Sequence, residues 1–266
     1  MRIDIELVNR KFFQSRQKAK EAITEGNVTV NGKICKKPSF DVCDNDSIEI
    51  SENVLGFVGR GGLKLEKIAD KHCLDFSGKT CMDIGASTGG FTDCMLQRGA
   101  EFVYAVDVGS GQLADKLCSD KRVCNMEKTD IRNVSSKDLQ REIDFISIDV
   151  SFISLKLVLP KACELLKQDG SIAALVKPQF EAGKSNIGKN GIVKSKKVHE
   201  NVLCDIISFA FQVGLVAYDA DFSPVTGGSG NIEYLLLLKK GSEFFMPEIK
   251  KLTALAFENF KHGGKS

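Results

Sequence analysis

Four charged side chains stand beside segments that read as core. They are Lys64 in Gly61-Gly62-Leu63-Lys64-Leu65, Asp149 in Ile146-Ser147-Ile148-Asp149, Lys177 in Ala174-Leu175-Val176-Lys177-Pro178, and Glu233 in Gly230-Asn231-Ile232-Glu233-Tyr234. Isolated charge is costly to bury, so groups placed there are paired with one another or held for chemistry. Two ammonium groups and two carboxylates make a cluster of the kind that often belongs to an active site. Burial and neighbouring cations such as Lys64 would lower the pKa of Lys177. Asp149 and Glu233 pull the other way, and the sequence leaves open which influence wins. An ordinary structural ion pair is the bland reading of any one of the four.

A second constellation is Asp83-Ile84-Gly85-Ala86-Ser87-Thr88-Gly89-Gly90-Phe91, which follows an apolar strand and precedes a helical pattern. Glycines there let a ligand approach the backbone, at the place where open α/β sheets form their crevice. Ser87 occupies the second glycine position of G-x-G-x-x-G, which weakens a dinucleotide reading. An acid ahead of the glycines suits a ligand bearing an amino group, pointing to S-adenosylmethionine rather than a pyrophosphate. The candidate cofactor contacts are therefore Asp83, Gly85, Ala86, Ser87, Thr88, Gly89, Gly90 and Phe91. Asp107, ending the next strand, is placed to accept from two ribose hydroxyls, and Asp130 to meet the adenine amino group. A tight turn for the glycines and a helix cap for Asp107 remain alternatives.

The 266 residues, 42% of them hydrophobic, can build one large domain with a small companion. Residues 1 to about 52 form the companion. Ile3, Leu7 and Val8 mark an amphipathic start, and Ser15 caps a helix that ends at Gly26. Val28 to Ile34 is a hairpin turning at Asn31-Gly32, and Asp46 to Ile50 is a further strand. Glycines 56, 59, 61 and 62 mark a junction, giving domains at 1–55 and 63–266 with a linker at 56–62.

Beyond the linker a helix starts at Leu63, and apolar strands then alternate with helices. The expected strands are Cys81 to Ile84, Phe102 to Asp107, Phe145 to Asp149, Ser171 to Val176, Leu215 to Asp221 and Ile232 to Leu238. Helices are expected at Thr92 to Arg98, Leu155 to Lys167, Val198 to Val213 and Pro247 to Phe260, before a frayed tail. This is the pattern of a doubly wound α/β sheet. The helix-free link from Phe222 to Asn231 makes one of the last two strands antiparallel.

Charge and cysteine usage narrow the function. Arg10, Lys11, Arg16, Lys18, Lys20, Lys33, Lys36 and Lys37 face only Glu21 and Glu25 across their segment, a basic patch in a chain of net charge +2. Such a patch fits the phosphates of folded RNA. The nine cysteines are scattered singly, never as Cys-x-x-Cys, and with three histidines they do not form metal-ligand spacing. No metal is expected. Free thiols, the lack of a secretory start and the lack of a spanning segment together point to a soluble cytoplasmic protein.

These residues, taken together, resemble the TlyA family of ribosomal RNA 2′-O-methyltransferases, also called hemolysin A-like proteins, over nearly the full length. Ser15-Arg16-Gln17-Lys18-Ala19 to Val30-Asn31-Gly32 looks like an S4 RNA-binding domain. Gly85 to Phe91 resembles an FtsJ-type cofactor loop. Asp149-Val150-Ser151-Phe152-Ile153-Ser154-Leu155, Val176-Lys177-Pro178-Gln179-Phe180-Glu181, Ser223-Pro224-Val225-Thr226 and Gly230-Asn231-Ile232-Glu233-Tyr234 extend the likeness. One departure is Val108 to Asp115, which lacks the aromatics that the family carries near Ser110 and Asp115.

The resemblance implies a Rossmann-like methyltransferase sheet, mostly parallel with one antiparallel strand, preceded by a small α+β S4-like domain. It implies S-adenosylmethionine as methyl donor and a ribose 2′-hydroxyl, of a cytidine, as acceptor. The partner would be ribosomal RNA or a ribosomal subunit, with no membrane and no metal, and the oligomeric state stays open. The family's Lys-Asp-Lys-Glu tetrad falls on Lys64, Asp149, Lys177 and Glu233. Lys177 would be the base, Asp149 its orienting partner, and Lys64 with Glu233 the holders of the hydroxyl. The alternatives are an RNA-binding module without methyltransferase activity and a membrane-active hemolysin.

Overall fold

The structure, a computed structural model, describes residues 1–10, 12–13, 15–43, 45–51, 56–227 and 229–261. Lys11, the expected boundary at residue 55 and the tail from His262 to Ser266 lie outside them.

The N-terminal unit packs α1 (Ile3–Asn9) and α2 (Arg16–Thr24) on an antiparallel sheet of β1 (Val28–Val30), β2 (Lys33–Ile34) and β3 (Ile48–Ile50), ordered β2-β1-β3. The Ser15 hydroxyl accepts from the Lys18 N–H, closing the first turn of α2 as its sequence position predicts. Asn31 and Gly32 take φ of 51° and 74°, the paired positive angles that a two-residue type I′ hairpin demands. Ile3, Leu7, Ala19, Ile23 and Val28, all fully buried, form its core.

The larger unit is a doubly wound α/β sheet. Its elements are α3 (Gly61–Lys71), β4 (Thr80–Ile84), α4 (Gly90–Gln97), β5 (Phe102–Val106), α5 (Asp115–Cys118), β6 (Val123–Met126), β7 (Ile143–Ile148), α6 (Leu159–Leu165), β8 (Leu166–Val176), α7 (Pro178–Glu181), α8 (Lys196–Gln212), β9 (Leu215–Phe222), β10 (Tyr234–Lys240) and α9 (Ile249–Lys261). The strand order is β6-β5-β4-β7-β8-β10-β9. Strands β4 to β8 run parallel, and β10 is antiparallel to both neighbours, one place in from the edge. Buried clusters cover both faces, and central strands such as β4 are buried on each side.

Two elements depart from expectation. The helix expected over Leu155 to Lys167 is a 3₁₀ turn followed by α6, which stops at Leu165. Leu166 instead pairs with Ile143 and opens β8, while the Lys167 ammonium reaches the Asp144 carboxylate at 2.7 Å, so sheet pairing overrides a helical pattern that ran on. Strand β6 was not expected. It is a half-buried edge strand with an exposed Asn125, too short and polar to show as an apolar run.

Candidate active site

The order of strands reverses on either side of β4, the place where an open α/β sheet leaves a crevice at the carboxyl ends of its strands. Asp149 follows β7 and Lys177 follows β8 at that edge. Because β10 runs the opposite way, its amino end arrives there too: Tyr234 pairs with Val176, which puts Glu233 beside Lys177. Lys64 enters from α3, whose start lies close against that of α4; a Cβ on Gly90 would come within 2.8 Å of the Gly62 nitrogen.

The four charges meet. Lys64 Nζ is 2.8 Å from Glu233 Oε2 and 3.5 Å from Asp149 Oδ2, and Lys177 Nζ is 2.5 Å from Asp149 Oδ1. Lys64, Lys177 and Glu233 are buried, and Asp149 is nearly so. Burial disfavours charge on Lys64, but Asp149 and Glu233 outweigh it and hold the ammonium pKa above its ordinary value. Burial likewise favours a neutral Asp149, and Lys64 and Lys177 outweigh that, keeping its carboxyl below the usual range. Lys64 is therefore a charged donor. Lys177 has one further polar neighbour, the Ser151 hydroxyl at 2.8 Å, and the Gln179 amide reaches Glu233 at 3.4 Å.

Two cavities adjoin at this point. One of about 290 Å³ is lined by Lys64, Asp149 and Lys177 together with the Gly85 to Thr88 turn, Gly90, Phe91 and Arg60. The other, of about 430 Å³, is lined by Asp107, Gln112, Asp130, Phe152 and Ile153, and both share Gly85, Ser87, Asp149 and Ser151. Gly85, at a φ of 85°, accommodates the junction: a Cβ there would stand 2.6 Å from the Asp149 carbonyl oxygen.

The expected cofactor residues divide. Gly85, Ala86, Ser87, Thr88, Gly90 and Phe91 line the first cavity, while Gly89 faces Leu113 and Leu117 and serves packing. Asp83 is buried beneath the turn, accepting from the Thr92 N–H and hydroxyl at 2.9 and 2.7 Å and from the Ser147 hydroxyl at 3.1 Å. Burial, against those hydrogen bonds and helped by the charge of Asp149, raises its pKa to about 7. Asp107 accepts from the Ser87 and Gly109 N–H groups at 2.8 and 2.7 Å on the wall of the second cavity. Asp130 reaches that wall as well, with Arg132 engaging both its oxygens at 3.0 and 2.5 Å.

The basic patch is likewise divided. Arg16 joins Arg2 on Asp4, a fully buried carboxylate, and Arg10 pairs with Glu6 at 2.7 Å. Arg16 thereby ties α2 to α1 while Arg10 pairs along α1 itself, which their charge alone could not reveal. Lys18 borders a crevice against Leu63, Glu66 and Lys67 of the larger unit, and Lys20 is half-buried. Lys33, Lys36 and Lys37 are exposed, with no ion pair among the described residues.

Three further residues stand at the site. Gln112, in the stretch lacking the expected aromatics, accepts from the Ser87 hydroxyl at 3.2 Å. Phe152 stands 91% exposed on the second cavity with a φ of 63°, a conformation unusual for an aromatic residue, and leans on Phe180 with centroids 5.0 Å apart. Arg60 lies 5.1 Å over the Phe12 ring, touching the N-terminal unit from the wall of the first cavity. Among the described residues no cluster of histidine, cysteine or acidic side chains forms a metal site, and no helix is long and apolar enough to cross a membrane.

Residues 57–240 match the FtsJ-like methyltransferase family and residues 1–48 match the S4 domain. The YqxC protein of Bacillus subtilis is 45% identical, the match covering 98% of this chain and 95% of that protein. The 16S/23S rRNA (cytidine-2′-O)-methyltransferase TlyA of Mycobacterium tuberculosis is 36% identical over 98% of this chain and 96% of its own. A solved Streptococcus thermophilus structure bearing the hemolysin name superposes with a TM-score of 0.80 at 42% identity, covering 100% of this chain and 98% of that one.

Proposed function

The chain belongs to the TlyA family, an S4 domain joined to an FtsJ-like methyltransferase domain, and from that premise we propose that it methylates the 2′-hydroxyl of a cytidine ribose in ribosomal RNA, with S-adenosylmethionine as donor. The observation that carries this reading is the closed Lys64–Glu233 and Asp149–Lys177 arrangement at the seam of two cavities.

The residues present fit that donor. Asp83 keeps one unused lone pair, on Oδ1, beside the first cavity for an amino group, Asp107 offers its carboxylate to ribose hydroxyls, and Ile131 and Ile153 give the second cavity apolar walls for an adenine. When bound, S-adenosylmethionine supplies an electrophilic methyl group. The protein supplies position and deprotonation.

Lys177 takes the 2′ proton. Asp149 and the Ser151 hydroxyl fix its Nζ, so that once the ammonium has released a proton to solvent its lone pair faces the acceptor oxygen. Lys64, held charged by two carboxylates, donates to the acceptor oxygen, and Glu233 receives from a neighbouring ribose hydroxyl or holds Lys64 in place. The exposed lysines of the N-terminal unit bind phosphate and locate the enzyme on folded RNA.

The test is transfer of labelled methyl groups to isolated ribosomal subunits, followed by mapping of positions resistant to alkaline cleavage. A resistant cytidine in the RNA of one or both subunits is expected. Binding of S-adenosylmethionine with no transfer to any form of ribosomal RNA would overturn the reading in favour of an inactive RNA-binding module. Leakage of liposomes by the pure protein, again without transfer, would favour the hemolysin.

A further inference from the structure

The loop that leads from α7 into α8 is basic without interruption. Between Gly183 and Val198 the sequence carries Lys184, Lys189, Lys194, Lys196 and Lys197 and no acidic residue. All five lysines are exposed. Lys197 pairs with Glu200 at 3.3 Å, whereas the other four have no ion pair among the described residues. Unpaired charge gathered on one segment of a chain with net charge +2 marks a place for an anionic partner rather than an evenly solvated surface.

This loop is also built into the active-site edge. Asn231, 1% exposed, grips its backbone twice: its side-chain oxygen accepts from the Val193 N–H at 3.0 Å, and its amide donates to the Gly191 carbonyl at 2.9 Å. His199, fully buried at the head of α8, faces the Val193 carbonyl through Nε2 at 2.8 Å and the Tyr234 hydroxyl through Nδ1 at 2.9 Å. A carbonyl can only accept, so Nε2 carries the proton and Nδ1 accepts from Tyr234. Burial holds the imidazole pKa below its ordinary value despite the Val193 carbonyl, which keeps this neutral form. Asn231 and Tyr234 flank Glu233 by two residues and one. The Asn231 carbonyl in turn accepts from the N–H of Gly227, which lines the first cavity.

We propose that Lys184, Lys189, Lys194 and Lys196 form a second RNA-binding surface, one that holds the phosphates flanking the acceptor ribose. Asn231 and His199 tether it to the strand that presents Glu233. The inference rests on the ribose-methylating reading above and adds to the N-terminal patch a contact at the reaction mouth. A fixed loop presents its cations from a constant distance, so phosphate binding there registers the acceptor nucleotide against Lys177. The N-terminal lysines, on a separate unit, locate the enzyme more coarsely.

The experiment compares the full chain with Lys184→Gln/Lys189→Gln/Lys194→Gln/Lys196→Gln, using isolated ribosomal subunits and a fragment of their RNA as probes. Each phosphate contact contributes about 0.7 to the slope of log K against log salt on single strands, so the quadruple variant should flatten that slope by about 3. KM for RNA should rise tenfold or more, with a smaller effect on kcat and the dissociation constant of S-adenosylmethionine held within about twofold. Asn231→Ala, which frees the loop while keeping its charge, should retain the salt slope yet lower kcat. An unchanged salt slope and KM in the quadruple variant, with the native chain active, would overturn this inference and leave the methyltransferase reading standing. Inactivity of the native chain on every RNA would overturn both. Native binding to phosphatidylserine vesicles that the quadruple variant loses, with RNA binding unaltered, would also overturn it and assign the surface to a membrane.

Discussion

Lys64 and Glu233, 169 residues apart in the chain, meet at 2.8 Å in a buried site. The contact joins a helix at the start of the larger unit to the last strand inserted into its sheet, so the proposed catalytic arrangement forms only once the sheet is fully assembled. Its second half, Lys177 on Asp149, comes from neighbouring parallel strands. The division suggests separate tasks, one pair positioning and the other moving a proton.

Lys177→Ala should lower the single-turnover rate of methyl transfer by about 10²- to 10⁴-fold at every pH from 6 to 9, the usual worth of a positioned base. Glu233→Gln keeps a hydrogen-bonding group beside Lys64 and should cost about tenfold. Quenched-flow measurement at saturating cofactor separates the two. Near-native rates for Lys177→Ala across that range would remove it from the role of base.

Asp83 makes the site sensitive to pH. Its carboxyl pKa is raised from 3.8 to about 7, so the folded state holds a proton that the unfolded chain has lost. The resulting penalty is absent below 3.8, grows as pH rises and levels off above about 7. Relative to Asp83→Asn, the native chain should therefore lose a few kcal/mol of stability over that interval, at about 1.4 per pH unit, by denaturant unfolding. An amino group bound beside Asp83 would favour its ionised form, so S-adenosylmethionine should release a proton on binding near pH 6. Calorimetry in buffers of different ionisation enthalpy measures this; heats independent of buffer would show that the cofactor does not reach Asp83.

Much of this architecture was legible because charge stood where apolar sequence made it conspicuous. Glu233 ahead of Tyr234-Leu235-Leu236-Leu237-Leu238, and Lys177 after Ala173-Ala174-Leu175-Val176, signal themselves in that way. Asp130 and Arg16 illustrate what was hidden. Both are charged residues at plausible ligand positions, yet one is engaged by Arg132 and the other by the buried Asp4, and such partners are fixed by tertiary packing rather than spacing. Strand β6 was obscure for a related reason: an edge strand buries one side only and needs no apolar run. The Asn231 grip on Val193 spans 38 residues and has no local signature.

Gly85 couples the Gly85 to Thr88 turn to Asp149, the proposed orienting partner of Lys177. A methyl group there would press within 2.6 Å of the Asp149 carbonyl and would sit at a φ of 85°, which L side chains rarely adopt. Gly85→Ala should cost about 1–3 kcal/mol of stability and abolish transfer in the fraction that remains folded. Gly78→Ala is the control: its φ of 69° imposes a similar backbone cost, but no atom lies within 4 Å of the added carbon. Thermal unfolding should show the larger loss in Gly85→Ala, where the clash adds to the backbone cost, with activity retained only in Gly78→Ala. Equal activity in both variants would mean that Asp149 tolerates the shift.

Structural and RNA-facing cations of the N-terminal unit should separate by substitution. Burial raises the Asp4 carboxyl pKa, but Arg16 and Arg2 outweigh it and bring the value below the ordinary 3.8. The stabilisation is thus complete above that pH and fades as pH falls through it. Asp4→Ala removes the group that both arginines share; because Arg2 and Arg16 remain half exposed to water, the cost should be about 1–2 kcal/mol. Hydrogen exchange in the full chain should then quicken across α1 and α2, with the larger unit unaffected. Lys33→Gln/Lys36→Gln/Lys37→Gln should leave that exchange unchanged, because none of the three has an ion pair among the described residues, and should instead weaken RNA binding in a salt-dependent manner. If the lysine variant bound RNA as the native chain does while Asp4→Ala did not, recognition would depend on the shape of the N-terminal unit rather than on its exposed charge.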